Sequence, residues 1–173
     1  MRFGDFLRAT VLLSAGAATL LAALAVIGLS QEYDRTLVLF SAFWWGGAVL
    51  IGIWFGRRAE ASPPIRRLLL NARSQTTLPE LRPGLTLLNR LWPLLFATIG
   101  ASVAAVFEPQ VASIGAGFWI IWALALRRQA SAVAAIEERD GVRFYVDRTS
   151  PLQPIRLIRT PGFGGTFLKW PTP

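Results

Sequence analysis

The chain alternates between long apolar runs and shorter polar stretches, and this pattern predicts four membrane-spanning helices. The apolar runs cover residues 9–30, 36–56, 85–107 and 111–126. At about 1.5 Å of rise per residue, such runs can cross a hydrocarbon core of about 30 Å as helices. Arg90 is the one ionised residue within them, and it lies one turn into the third run, where an arginine can snorkel to the headgroups.

The pattern changes after the fourth run, which is the shortest. "QASAVAAIEERD" is rich in residues that favour helix, so we expect the helix to continue past Arg127 and Arg128 along the membrane surface. Gly141 offers a stop. Beyond it, "VRFYV" alternates apolar and polar residues with the period of a half-buried strand, and "IRLIR" is a second β-compatible run after a proline-containing loop.

These two runs predict a small β-hairpin, which is marginal in water unless it packs on something. Three surfaces qualify: the rest of this chain, the membrane, or the edge of a sheet in a partner protein. An irregular tail on the bundle is the remaining alternative. The candidate docking residues of the tail are Val142, Phe144, Val146, Ile155 and Leu157.

The stretch between the second and third runs contains "SPPIRRLLLNAR" (62–73), which predicts an amphipathic helix. Ser62 can cap its start, and prolines suit a first turn. Its apolar residues recur at helical spacing, whereas Arg66, Arg67 and Arg73 lie mostly off that face. Either the helix lies on an anionic inner leaflet with these three arginines as candidate lipid contacts, or it packs on the bundle or the tail.

The distribution of charge predicts the orientation. Arginines predominate in the 1–8 stub, in the 57–84 loop and after residue 126, whereas the other two loops, "QEYDR" and "EPQ", are very short and net acidic. Both termini and the long loop are therefore predicted to be cytoplasmic. The first run is longer than a signal-peptide core, and no small-x-small cleavage pattern follows it, so we expect all four spans to remain.

Small residues at four-residue spacing predict close helix packing, either within the chain or against a partner. The candidate packing residues are Gly52, Gly56, Ala97, Ala101, Ala105 and Gly117. Trp54 and Trp92 suit the interfacial aromatic belt. Trp44, Trp119 and Trp122 lie nearer the middles of their runs, where they can pack, face lipid, line an apolar pocket or face a partner subunit.

The amino-acid composition excludes several kinds of active site. The chain has 53% hydrophobic residues, no cysteine and no histidine. Thiolate nucleophiles, zinc–thiolate sites and histidine acid–base chemistry are therefore excluded. No catalytic constellation, metal site or cofactor motif is evident, and no acidic residue lies within the runs, which disfavours a proton relay. The formal net charge of +8 is accounted for by topology, so we do not predict nucleic-acid binding.

The sequence thus predicts an all-α integral membrane protein with four transmembrane helices in two hairpins, a cytoplasmic amphipathic helix and a short basic tail. We expect a multi-pass protein of the bacterial inner membrane. Its predicted parts are the stub 1–8, the hairpin 9–56, the loop 57–84, the hairpin 85–126, and the helix extension with the tail, 127–173.

Two function hypotheses fit this architecture. The first is a non-enzymatic accessory, assembly or scaffolding subunit of a membrane complex, with anionic lipids and another membrane protein, or a second copy, as partners. The second is a small homo-oligomeric transporter, channel or lipid-handling protein. The second requires a polar path, for which the candidate residues are Ser14, Thr19, Ser41, Thr98, Ser102 and Ser113.

Overall fold

A computed structural model of the chain describes residues 1–32, 35–58, 60–74, 83–147 and 153–161. The protein is predominantly helical, and four of its helices are long and apolar enough to cross a membrane, which confirms the four predicted spans. In chain order the helices are α1 (Phe3–Glu32), α2 (Arg35–Gly56), α3 (Pro63–Leu70), α4 (Pro83–Ala104), α5 (Pro109–Leu126) and α6 (Gln129–Asp140).

Prolines begin three of these helices. The N–H groups in the first turn of a helix have no carbonyl partner within the helix, so proline, which lacks an N–H, loses no hydrogen bond there. Pro93 lies inside α4, where a membrane helix tolerates the missing donor. At the other end of the fourth span, α5 stops at a turn over residues 127–128, and α6 continues from it. Gly141 ends α6 with a left-handed φ of 61°, a conformation that glycine adopts without steric cost.

Helix α5 is the centre of the membrane part. Its most extensive contacts are with α1 on one side and α2 on the other, and α4 packs on α1 and α5. The helices approach closely where side chains are small, and the tightly packed centre is formed by Leu21, Ala25, Ala105, Ala112 and Ala116. Two helices that are adjacent in sequence, α1 and α2, are therefore held together mainly through α5.

A three-stranded sheet, α3 and α6 lie together at one end of the bundle, which we call the sheet end. The strands are β1 (Arg73–Ser74), β2 (Val142–Val146) and β3 (Leu157–Pro161), in the spatial order β1-β3-β2. β3 pairs antiparallel with β2 and parallel with β1. The remainder of the predicted 57–84 loop, residues 59 and 75–82, and residues 148–152 and 162–173 of the tail lie outside the described residues.

The sheet end has an apolar core of its own. It joins the first turn of α1, the apolar face of α3, the inner face of α6 and both longer strands. Its most deeply buried members are Phe3, Val133, Phe144, Val146 and Leu157. The tail supplies strands too short to be stable alone, and the helices supply the surface that they cover.

Candidate interaction surfaces

The predicted packing glycines lie in the interface between α2 and α5. A Cβ added at Gly52 would lie 2.8 Å from the Cβ of Leu124 and 3.2 Å from the Cα of Ile121. At Gly56 it would meet the backbone carbonyl of Leu124, and at Gly117 the indole of Trp44. These three glycines therefore allow α2 and α5 to approach each other closely. Of the two predicted alternatives, packing within the chain or packing against a partner, this contact is of the first kind.

Polar groups cross the same interface. The hydroxyl of Ser113 donates to that of Ser41 at 2.7 Å, and both side chains are buried. The indole N–H of Trp45 donates to the carbonyl of Ser113 at 2.9 Å, and that of Trp44 to the carbonyl of Ile114 at 3.2 Å. Trp44 also packs edge-to-face on Phe118, so it is part of the α2–α5 contact.

The alanines predicted on the third span differ in burial, and Ala105 lies in the turn directly after α4. Ala105 is buried and Ala101 half-buried, and both pack against the membrane core. Ala97 is exposed, as is Gly100, where an added Cβ would meet nothing within 4 Å. Helix α4 thus has some small residues that pack inside the chain and others that are exposed.

The remaining hydroxyl groups of the spans bond mostly within their own helices. Thr19 donates to the carbonyl of Ala15, Thr98 to that of Leu94, and Ser102 to that of Thr98, all at 2.8–2.9 Å. The buried hydroxyl of Ser14 has no hydrogen-bond partner. Apart from Ser41 and Ser113, no two side chains of the proposed polar path are hydrogen-bonded to each other in the described part of the chain.

The candidate docking residues of the tail turn inward. Val142, Phe144, Val146 and Leu157 are buried in the sheet-end core, and Ile155 packs against it. The described part of the tail therefore covers a surface of this chain. Sequence reasoning left open whether that surface was this chain or a partner, because an alternating pattern shows that a strand has a buried face and does not show what buries it.

The outer edge of β2 is closed by two groups that the sequence pattern does not reveal. The amide of Phe144 donates to the carboxylate of Glu137 on α6 at 2.8 Å, and the amide of Val146 donates to the carbonyl of Met1 at 3.0 Å. Burial lowers the pKa of the Met1 amino group, which the charge of Asp5 partly opposes. Strand addition at this edge would compete with these bonds.

The three candidate lipid-contact arginines have different surroundings. Arg66 forms an exposed ion pair with Glu60 at 3.1 Å, and Arg67 is exposed near it on α3. Arg73 lies in β1, beside Ile158 of β3. Because the apolar face of α3 packs into the sheet-end core, the helix presents its arginines, not its apolar face, to the surroundings.

Arg90 lies where α4 meets the tail. Its guanidinium donates to the carbonyl of Gln153 at 2.6 Å, and one of its terminal nitrogens is buried without a partner. The arginine therefore ties the third span to the loop before β3.

The described residues include no cluster of three or more acidic side chains that could hold a metal ion. Fold and surfaces together define a membrane-embedded, four-span helical protein with a small mixed domain at one end. The chain shows no significant match to protein-family models, to curated proteins or to solved structures. Its function therefore has to be inferred from its own residues.

Proposed function

We propose that the protein is a non-enzymatic accessory, assembly or scaffolding subunit of a larger complex in the bacterial inner membrane. The observation that carries this proposal is the peripheral position of two spans. In their most apolar windows, α2 and α4 have 17% of residues buried, against 28% for α1 and for the segment formed by α5 and α6. Two helices therefore expose faces on which a partner helix can pack.

Each peripheral helix combines small and large residues on its exposed face. On α2, an added Cβ at Gly46 would have no neighbour within 4 Å, and Phe43 beside it is 84% exposed. On α4, Gly100 has the same open surroundings, and Phe96 is 69% exposed. A small residue lets another backbone approach, and an aromatic ring beside it provides contact area.

The arrangement of the polar residues favours this function over a polar path. Of the six candidate path hydroxyls, three donate to carbonyls of their own helices and two bond to each other, Ser113 to Ser41. The buried hydroxyl of Ser14 is the one without a partner among the described residues, and a single such group does not form a path. A conducting path requires groups that remain available to a passing solute.

We also propose that the sheet end is cytoplasmic. Arg57 and Arg58 follow α2, and Arg127 and Arg128 follow α5, so both spans end in basic pairs at the sheet end. At the opposite end, the described link between α4 and α5 carries the exposed Glu108. This asymmetry is that of the positive-inside rule. Anionic lipids of the inner leaflet would then surround the arginines.

Photocrosslinking in native membranes tests the subunit proposal. A photoreactive aromatic side chain replaces Phe43 on α2 or Phe96 on α4, and a matched control replaces Trp45, a half-buried aromatic residue of α2 that faces α5. We expect a discrete protein adduct from one or both exposed positions and none from position 45. Recovery of uncrosslinked monomer from both exposed positions, with the protein correctly folded, would overturn the proposal.

A further inference from the structure

A basic cleft of about 640 Å³ lies at the sheet end, where α2 ends and α3 begins. Its polar lining comes mainly from four arginines, Arg57, Arg58, Arg66 and Arg67, with the single carboxylate of Glu60. The cleft is thus strongly cationic, although one carboxylate offsets part of the charge. None of the charged groups belongs to the exposed faces of α2 and α4 that carry the subunit proposal.

The backbone of the cleft is held in place from α6. The buried amide of Gln129 accepts from the N–H of Ser62 at 2.8 Å and donates to the carbonyl of Glu60 at 3.5 Å. The guanidinium of Arg128 donates to the carbonyl of Arg57 at 3.0 Å. Arg128, which precedes α6, and Gln129, its first residue, therefore hold the backbone of the cleft at Arg57, Glu60 and Ser62. A site whose supporting backbone is already ordered loses less entropy when a ligand binds.

Two of the four arginines already have partners. Arg66 pairs with Glu60, and the guanidinium of Arg57 lies over the ring of Trp54, 3.9 Å from its centroid. The guanidinium groups of Arg58 and Arg67 form no hydrogen bond or ion pair with another described residue, and both side chains are exposed on the cleft. These two guanidinium groups are available for an anion. Their planar set of donors matches the oxygens of a phosphate.

The rim of the cleft is apolar on the side of α2. Trp54 is 63% exposed and Phe55 is 64% exposed, and Leu70 at the end of α3 is 79% exposed. Trp54 and Phe55 belong to the last turn of a span, so they lie at the level where hydrocarbon meets headgroups. The cleft therefore places cationic and apolar groups side by side at that boundary. A ligand that satisfies both has a phosphate and acyl chains.

We propose that the basic cleft is a binding site for an anionic membrane phospholipid. Its phosphate lies between Arg58 and Arg67, and its acyl chains run along Trp54 and Phe55. The site requires that α2 spans a membrane, and it does not depend on a protein partner at α2 or α4. Side chains carry the recognition, since the first two residues of α3 are prolines and offer no N–H to an anion.

The test measures lipid affinity of the purified full chain in neutral detergent. Dioleoyl phosphatidylglycerol is titrated, and bound lipid is counted by native mass spectrometry. The variant Arg58→Gln/Arg67→Gln is compared with the wild type. At the usual strength of one basic residue near an anionic headgroup, we expect Kd to rise about fivefold for each substitution and about 30-fold for both. Neither side chain supports the fold, so the thermal stability should not change.

Arg156→Gln is the matched control, because Arg156 is an exposed arginine of the sheet end outside the cleft. The Kd of this variant should stay within about twofold of the wild type, and the wild type and all variants should bind phosphatidylcholine more weakly than phosphatidylglycerol. Equal losses for Arg156→Gln and for each cleft arginine would mean diffuse attraction and would overturn the site. Displacement of the lipid by millimolar glycerol phosphate or inorganic phosphate would also overturn it, because the ligand would then be a soluble phosphate.

Discussion

At the scale of single residues, the glycines of α2 separate two uses of a small side chain. Gly52 faces α5, where an added Cβ would lie 2.8 Å from Leu124, whereas Gly46, on the same helix, would gain a Cβ with no neighbour within 4 Å. The fold of this chain requires a glycine at position 52 and does not require one at position 46. The thermal stability of alanine variants at the two positions measures this difference.

We predict that Gly52→Ala destabilises the protein. The new methyl group would have to displace the backbone of α5 at Ile121, which lies 3.2 Å away, and such overpacking costs about 1–3 kcal/mol. For a chain of this size, each kcal/mol lowers Tm by roughly 2–4 °C. Thermal unfolding in detergent, followed by intrinsic tryptophan fluorescence, provides the measurement.

Gly46→Ala is the matched control, with the same substitution in the same helix. Alanine favours helix over glycine by about 1 kcal/mol, so Tm should be unchanged or slightly higher. Equal destabilisation by the two substitutions would contradict the α2–α5 packing. If Gly46→Ala instead leaves stability intact while reducing crosslinking from Phe43, the exposed face of α2 is a contact with a partner.

At the scale of elements, α6 protects the sheet by closing its edge. The carboxylate of Glu137 accepts the amide of Phe144, which would otherwise point outward from β2. We predict that Glu137→Ala removes this bond and destabilises the sheet end by about 1–3 kcal/mol, because a hydrogen bond to a charged acceptor is lost. Hydrogen exchange at the amides of β2 should become faster.

Glu138→Ala is the control for that change. Glu138 is exposed, lies one residue further along α6, and forms no hydrogen bond or ion pair with the described part of the sheet. The substitution Glu138→Ala removes the same charge from the same helix as Glu137→Ala does. Exchange at β2 should therefore be unaffected by it, and an equal acceleration in both variants would show that net charge, rather than the bond to Phe144, protects the edge.

Helix α3 provides a second test at this scale. Leu69 is 8% exposed and lies in the sheet-end core, whereas the adjacent Leu70 is 79% exposed at the rim of the basic cleft. We expect Leu69→Ala to cost about 2–5 kcal/mol and Leu70→Ala to leave the fold stable. Guanidinium-induced unfolding of both variants measures the difference. Equal stability of the two would contradict an inward-facing α3.

The elements differ in how far the sequence predicts them. Uninterrupted apolar runs are a local property, so the four long helices, and the stop of α6 at Gly141, can be read directly. The contact partners of an element are not local. The period of "VRFYV" shows a buried face, but the core that buries it includes Phe3 and Phe6, which lie far away in the chain. The basic cleft likewise depends on Gln129 meeting Ser62.

At the scale of the whole molecule, the sheet end joins segments from every part of the chain. The start of α1, the loop after α2, the helix after α5 and the strands of the tail share one apolar core. Within the membrane part, α5 holds α1 and α2 together. The shared core connects the same helices again at the sheet end, through these segments. We infer that the tail contributes to folding of the membrane part, beyond any role in binding a partner.

We therefore predict that deletion of residues 141–173 abolishes accumulation of folded protein, since it exposes the core face of α1 and α6. A milder variant keeps the chain complete: Leu157→Ala in β3, where the side chain is 2% exposed, should cost about 2–5 kcal/mol. Arg159→Ala, an exposed residue of the same strand, is the control. Size-exclusion chromatography and thermal unfolding give the readouts. A monodisperse deletion protein with wild-type Tm that has lost only a partner would show that the tail acts outward instead.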